Sequence, residues 1–134
     1  PLADVASPRN VLIGHVIGAL CGWASLWLFN LHDAPAAFIT GVDWSRVAAA
    51  GLSLGLTSAF MILLRVPHPP AGATALIVSL GLMHELQQLP VLISAVALLV
   101  GQAYLINRLA GIPYPLWHRS RNEPKIANEN DLRS

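Results

Sequence analysis

VAAAGLSLGLTSAFMILL, residues 47–64, carries no charged side chain. A helix over this run reaches about 27 Å, close to the roughly 30 Å hydrocarbon thickness of a bilayer. A second run, residues 87–107, is equally free of charge. The whole chain of 134 residues is 54 % hydrophobic and only 11 % charged, against about 25 % charge in an ordinary soluble domain. A soluble domain this small could not wet both stretches on one face while burying them on the other. Composition therefore points to a small integral membrane protein whose first partner is the lipid bilayer. It excludes a secreted disulfide scaffold, a disordered chain and a soluble enzyme. The net charge of +1 leaves no electrostatic footprint for nucleic acid. The single cysteine, Cys21, rules out an intrachain disulfide and, set in an apolar run, reads as a buried inert thiol.

Before the first quoted run lies VLIGHVIGALCGWASLWLFNL, residues 11–31. Ser7 and Pro8 precede it, an N-cap residue and a first-turn proline. Residues 32–46 form a connector with the turn residues Asp33, Pro35, Gly41 and Asp43. After the run, Arg65 is followed by VPHPPAGATALIVSLGLM. Pro67, Pro69 and Pro70 break a helix arriving from upstream, and the apolar residues 71–83 are few for a full passage. This third segment is either a short crossing among longer helices or a re-entrant piece, since irregular backbone at membrane depth survives only inside protein or against a cavity. Residues 91–106 form the last run, extending to 110 if Asn107 and Arg108 snorkel. Pro113 and Pro115 stop it, and Tyr114 and Trp117 suit an interfacial belt.

Cationic residues decide between the two readings of the third segment. With four crossings and both ends cytoplasmic, Arg9, Arg65, Arg108, Arg119, Arg121, Lys125 and Arg133 share the inner side, and Arg46 stands alone outside. That is the asymmetry expected of cytoplasmic loops. The predicted fold is an all-α polytopic bundle of four transmembrane helices, the third short and preceded by a Pro-rich broken turn. Residues 1–117 form the membrane domain and 118–134 a polar cytoplasmic tail or linker.

Small residues recur at helical spacing in every run: Gly14, Gly18 and Gly22; Gly51, Gly55 and Ala59; Ala71, Ala75 and Ser79; Ser94, Ala97 and Gly101. Such stripes let helix backbones approach closely in lipid. Gly14, Gly18, Gly22, Gly51, Gly55 and Gly101 are therefore expected at helix contacts. Four helices enclose little space for a permeation path, which a homo-oligomer would enlarge.

Two segments carry the candidate chemistry. SPRN, residues 7–10, opens the first helix, with His15 further in. PHPPAGAT, residues 67–74, opens the third. Helix N-termini leave N–H groups unpaired and present a positive dipole end, a ready anion site. Arg9 would attract a small inorganic anion, Asn10, His68 and Thr74 would replace its hydration shell, and Gly72 would allow close backbone approach. His15 would hydrogen-bond the ion deeper in or relay a proton. Ser53, Thr57, Ser58, Gln102 and Asn107 are further polar groups inside the spans, where Ser and Thr commonly bond a carbonyl one turn back. No nucleophile–base pair argues for an enzyme, no histidine spacing argues for a metal site, and no cofactor is implied.

PHPPAGATAL (residues 67–76), ASPRNVLIGH (6–15) and NRLAGIPYPLW (107–117) together resemble the HPP family of integral membrane proteins, named for the triplet here at His68, Pro69 and Pro70. The resemblance implies a multi-spanning protein of bacterial, cyanobacterial or chloroplast-envelope membranes, with nitrite the first candidate substrate and a bacterial inner membrane the expected location. It also implies a further apolar helix before Pro1. The motif positions carried over are Pro8, Arg9, Asn10, His15, His68, Pro69, Pro70, Gly72 and Thr74. The alternative is a non-transporting membrane anchor or sensor module serving a partner or a soluble domain.

Overall fold

The computed structural model describes residues 6–112. Among them the chain is entirely helical: α1 (Pro8–Leu28), α2 (Ala37–Thr40), α3 (Trp44–Leu63), α4 (Ala71–Ser79) and α5 (Gln88–Leu109). The expected interfacial residues Tyr114 and Trp117, the stop at Pro113 and Pro115, and the polar tail lie outside the described residues. Three helices, α1, α3 and α5, are long and apolar enough to cross a membrane. The nine residues of α4 reach only about 13 Å at 1.5 Å per residue.

Helix boundaries follow from local chemistry. The Ser7 hydroxyl accepts from the Asn10 N–H at 3.3 Å, and Pro8 occupies the first turn of α1, where its missing N–H costs nothing. Asp43 caps α3, accepting from the Arg46 N–H at 2.8 Å. All four long-range helices end alike. The second residue past the cap bonds back five positions, and the first bonds back three: Leu31 N to Leu26 O and Asn30 N to Trp27 O after α1, Val66 N to Met61 O and Arg65 N to Ile62 O after α3. This closure puts one residue in the left-handed region. Gly81 (φ 81°) and Gly111 (φ 70°) take it after α4 and α5, but Asn30 (φ 54°) and Arg65 (φ 53°) take it after α1 and α3.

Packing centres on α1. His68 lies against Gly14, Ala71 against Gly18, and Ala75 and Val78 against Gly22. The matching order shows that α4 runs parallel to α1. A Cβ at Gly14 would stand 2.8 Å from the His68 Cβ, and one at Gly22 would stand 2.8 Å from the Ala75 carbonyl oxygen. At Gly18 it would collide with the Ala71 carbonyl oxygen. The stripe expected on α1 is thus a true seam. A different outcome holds at Gly51, Gly55 and Gly101: no atom comes within 4 Å of a Cβ placed there. The close contacts expected of these three glycines do not occur among the described residues, because the stripe faces of α3 and α5 point away from α1. α5 touches the bundle mainly through Leu89 and Val96; Leu89 joins Ala19, Leu26, Leu31, Ala49 and Val78 in the core.

Arg46, counted in the sequence only for its side of the membrane, is buried, at 2 % exposed. Its guanidinium donates to the carbonyls of Ser79 (3.3 Å), Ala34 (3.1 Å) and Pro35 (2.7 Å). The carbonyl end of α4 is the negative end of its dipole and needs donors. Gly81, whose Cβ would sit 2.9 Å from Arg46 Nη1, leaves the room. The short α2 falls in the connector, where AFIT gives too little periodicity for a helix to be read.

Candidate functional site

The parallel course of α1 and α4 brings their polar residues to one level. His15 projects from the second turn of α1 toward α4, with Nδ1 2.6 Å from Thr74 Oγ1. Its other nitrogen, Nε2, is 3.3 Å from Nε2 of His68. The two rings stand 5.0 Å apart at 60°. His68 and Thr74 are buried and His15 is half-buried, so a three-residue chain of hydrogen-bonding groups runs through the seam. Gly14 makes it possible: the His68 side chain lies where any larger residue would project.

His68 also forms part of the wall of an open cleft of about 430 Å³, together with Ser58, Met61, Ile62, Arg65, Pro67 and Pro69. Apolar side chains dominate this lining, and Arg65 supplies its charge. Arg65 is exposed and held at φ 53°, a conformation that costs a non-glycine residue about 1–2 kcal/mol. Strain of this kind, kept where glycine would remove it, concentrates at functional positions. Sequence reading counted Arg65 only as a topology charge. Its signal was an arginine directly after a helix end, where glycine is the usual occupant.

Other expected site residues lie differently. Asn10 is buried, within 3.5 Å of an Arg9 guanidinium nitrogen, and neither Arg9 nor Asn10 lines the cleft. Gly72 faces α3, where a Cβ would meet Leu54 Cδ2 at 3.3 Å. The first N–H groups of α4 are not open: Ala71, Gly72 and Ala73 donate to the carbonyls of His68, Pro69 and Pro70 at 3.0–3.1 Å. Pro69 and Pro70 thus set the turn that aims His68 at α1. Serines and threonines in the spans bond carbonyls within their own helices, Thr57 to Ser53 (2.6 Å), Ser53 to Ala50 (2.9 Å) and Ser25 to Cys21 (2.8 Å). Ser53 also bonds Ser79 Oγ at 3.2 Å, tying α3 to α4. Cys21 is buried, as expected. Gln102 is exposed on α5.

Both segments that meet in this seam fall within one family match: the transmembrane region of HPP proteins corresponds to residues 1–115. The chain belongs to the HPP transmembrane family. A transmembrane protein of Dictyostelium discoideum is 30 % identical over 122 residues, covering 87 % of this chain and 39 % of that relative. The chain thus spans about two fifths of the relative's length. No solved structure matches. In this HPP protein the histidine of the naming triplet touches both α1 and the cleft, and the two prolines directly precede α4.

Proposed function

We propose that this membrane protein carries a small inorganic anion, nitrite first, past the seam of α1 and α4. The observation that carries the reading is the union of Arg65, strained at the cleft rim, with His68 on the cleft wall and His15 and Thr74 behind it. Arg65 would draw the anion into the cleft, and the imidazoles and the threonine hydroxyl would exchange hydrogen bonds for its hydration shell. A charge-assisted hydrogen bond contributes about 1.5–3 kcal/mol, which suits a site that must also release its ion. Arg9 and Asn10 would act further along α1, at its mouth.

The topology that fits is four passages of a bacterial inner membrane, both ends of the membrane domain cytoplasmic. In support, α3 ends near the level of His68 and Gly14, whereas α5 begins beside Leu26 and Leu31 at the far end of α1. Residues 64–87 must therefore cover the distance between, as a broken turn plus the half-length α4. A homo-oligomer would cover the open faces of α3 and α5. The competing reading, a membrane anchor or sensor without transport, is favoured by the closed N–H groups of α4.

A tracer flux screen of nitrite, nitrate, formate and chloride in proteoliposomes separates the two. Saturable nitrite uptake, lowered at least tenfold by Arg65→Ala, is the expected result. Uptake no faster than in protein-free vesicles for every anion would leave the anchor reading.

A further inference from the structure

A pair of imidazoles whose Nε2 atoms are 3.3 Å apart has a fixed proton count. One N–H must lie between the two nitrogens, since two acceptors there would repel and two donors would clash. Each ring keeps one further nitrogen, Nδ1. With both rings neutral, only one of the two Nδ1 atoms carries hydrogen. A third N–H fills the other and gives the pair a single positive charge. A fourth would set two N–H groups face to face and two cations 5.0 Å apart between ring centroids, which a membrane interior strongly disfavours.

We infer that His15 and His68 together take up one proton, and that the protein moves this proton with its anion; the coupling rests on the anion reading above. The proton enters from water in the cleft that His68 borders and is held as the third N–H of the pair. Thr74 serves both states, because its hydroxyl either donates to His15 Nδ1 or accepts from it at 2.6 Å. The anion enters against the charge so created, and loss of the proton to water on the other side releases it. One proton and one monovalent anion cross together, so no net charge moves.

The surroundings suit a proton that must come and go. On α1 the nearest charge is Arg9, and in the break before α4 it is Arg65. α4 offers only Thr74. α3 turns Thr57 and Ser58 toward this end, with Arg46 held far away by the carbonyls of Ser79, Ala34 and Pro35. α5 brings Tyr104 and Arg108, which bond each other at 2.8 Å. The described carboxylates, Asp33, Asp43 and Glu85, lie in connectors at the other end of the helices. No described carboxylate lies at the level of the pair.

The test has two arms on the intact chain. Nitrogen NMR of histidine-labelled protein in lipid nanodiscs should show His15 and His68 titrating as one step of one proton. It should also show a coupling across the shared N–H. Two independent one-proton titrations would overturn the inference. In the second arm, proteoliposomes holding an internal pH dye receive nitrite, with protein-free vesicles setting the leak of nitrous acid. Acidification above that leak is expected in the wild type and in His84→Gln, and its loss in His15→Gln and His68→Gln. Nitrite entry without acidification in the wild type would overturn the coupling and leave the anion reading standing. No nitrite entry at all would remove the anion reading, and the NMR titration would then decide the pair alone. If the glutamine variants fail to fold, the wild-type NMR count still decides.

Discussion

Gly14, Gly18 and Gly22 on α1 and Gly51 and Gly55 on α3 share a residue type and a spacing, yet their surroundings are opposite. The α1 glycines are pressed against the backbone and side chains of α4, while the α3 glycines face open space. Spacing shows which residues share a helix face but not what covers that face. The difference also locates the candidate site: the chain's close helix approach and its buried histidine lie in the same seam. α1 has 39 % of its apolar window buried, and α5 only 11 %. One helix is the bundle's axis, and the other is largely exposed among the described residues.

Substitutions can break this comparison. Gly18→Leu must displace the Ala71 carbonyl and the start of α4, and should cost about 3 kcal/mol, the upper part of the overpacking range. Thermal unfolding in detergent should show it as a markedly lowered midpoint. Next in size is Arg46→Gln, which removes donors from three carbonyls. Hydrogen bonds to a charged group contribute about 1.5–3 kcal/mol each, so a loss of about 2 kcal/mol remains even if water reaches two of the three carbonyls. Limited proteolysis should then cut the connector at residues 32–43 faster. Arg65→Gly should act in the other direction. Relief of the left-handed strain should raise stability by about 1 kcal/mol while nitrite uptake falls, a split that a purely structural arginine would not produce. Smallest of all, Gly55→Leu should change the stability of detergent-solubilised monomer by less than about 0.5 kcal/mol. A large loss there would show that α3 is covered by another chain even in detergent.

Much of the frame was legible in the residues. Uncharged runs located the three long helices to within a few positions, because lipid tolerates few charges over about 20 residues. Ser7 and Pro8 announced the start of α1, whereas α3 already ends at Leu63, ahead of Pro67, Pro69 and Pro70. The pairing of His15 with His68 and Thr74 was only half legible. The motifs named all three residues, but their contact depends on α4 running parallel to α1, a tertiary fact with no local signal. The burial of Arg46 was not legible for a related reason: it depends on a helix end and two loop carbonyls converging on the guanidinium. Arg65 was legible only in hindsight, since its strain comes from the way α3 closes rather than from its neighbours in sequence.

If the anion passes along the α1–α4 seam and not the open face of α3, uptake needs His68 and is indifferent to Gly55. Side-by-side nitrite uptake by His68→Ala and Gly55→Leu proteoliposomes, matched for folded protein, tests it most directly. Uptake at the protein-free level for His68→Ala and at wild-type level for Gly55→Leu is the expected result. Wild-type uptake by His68→Ala, with uptake abolished in Gly55→Leu, would contradict it.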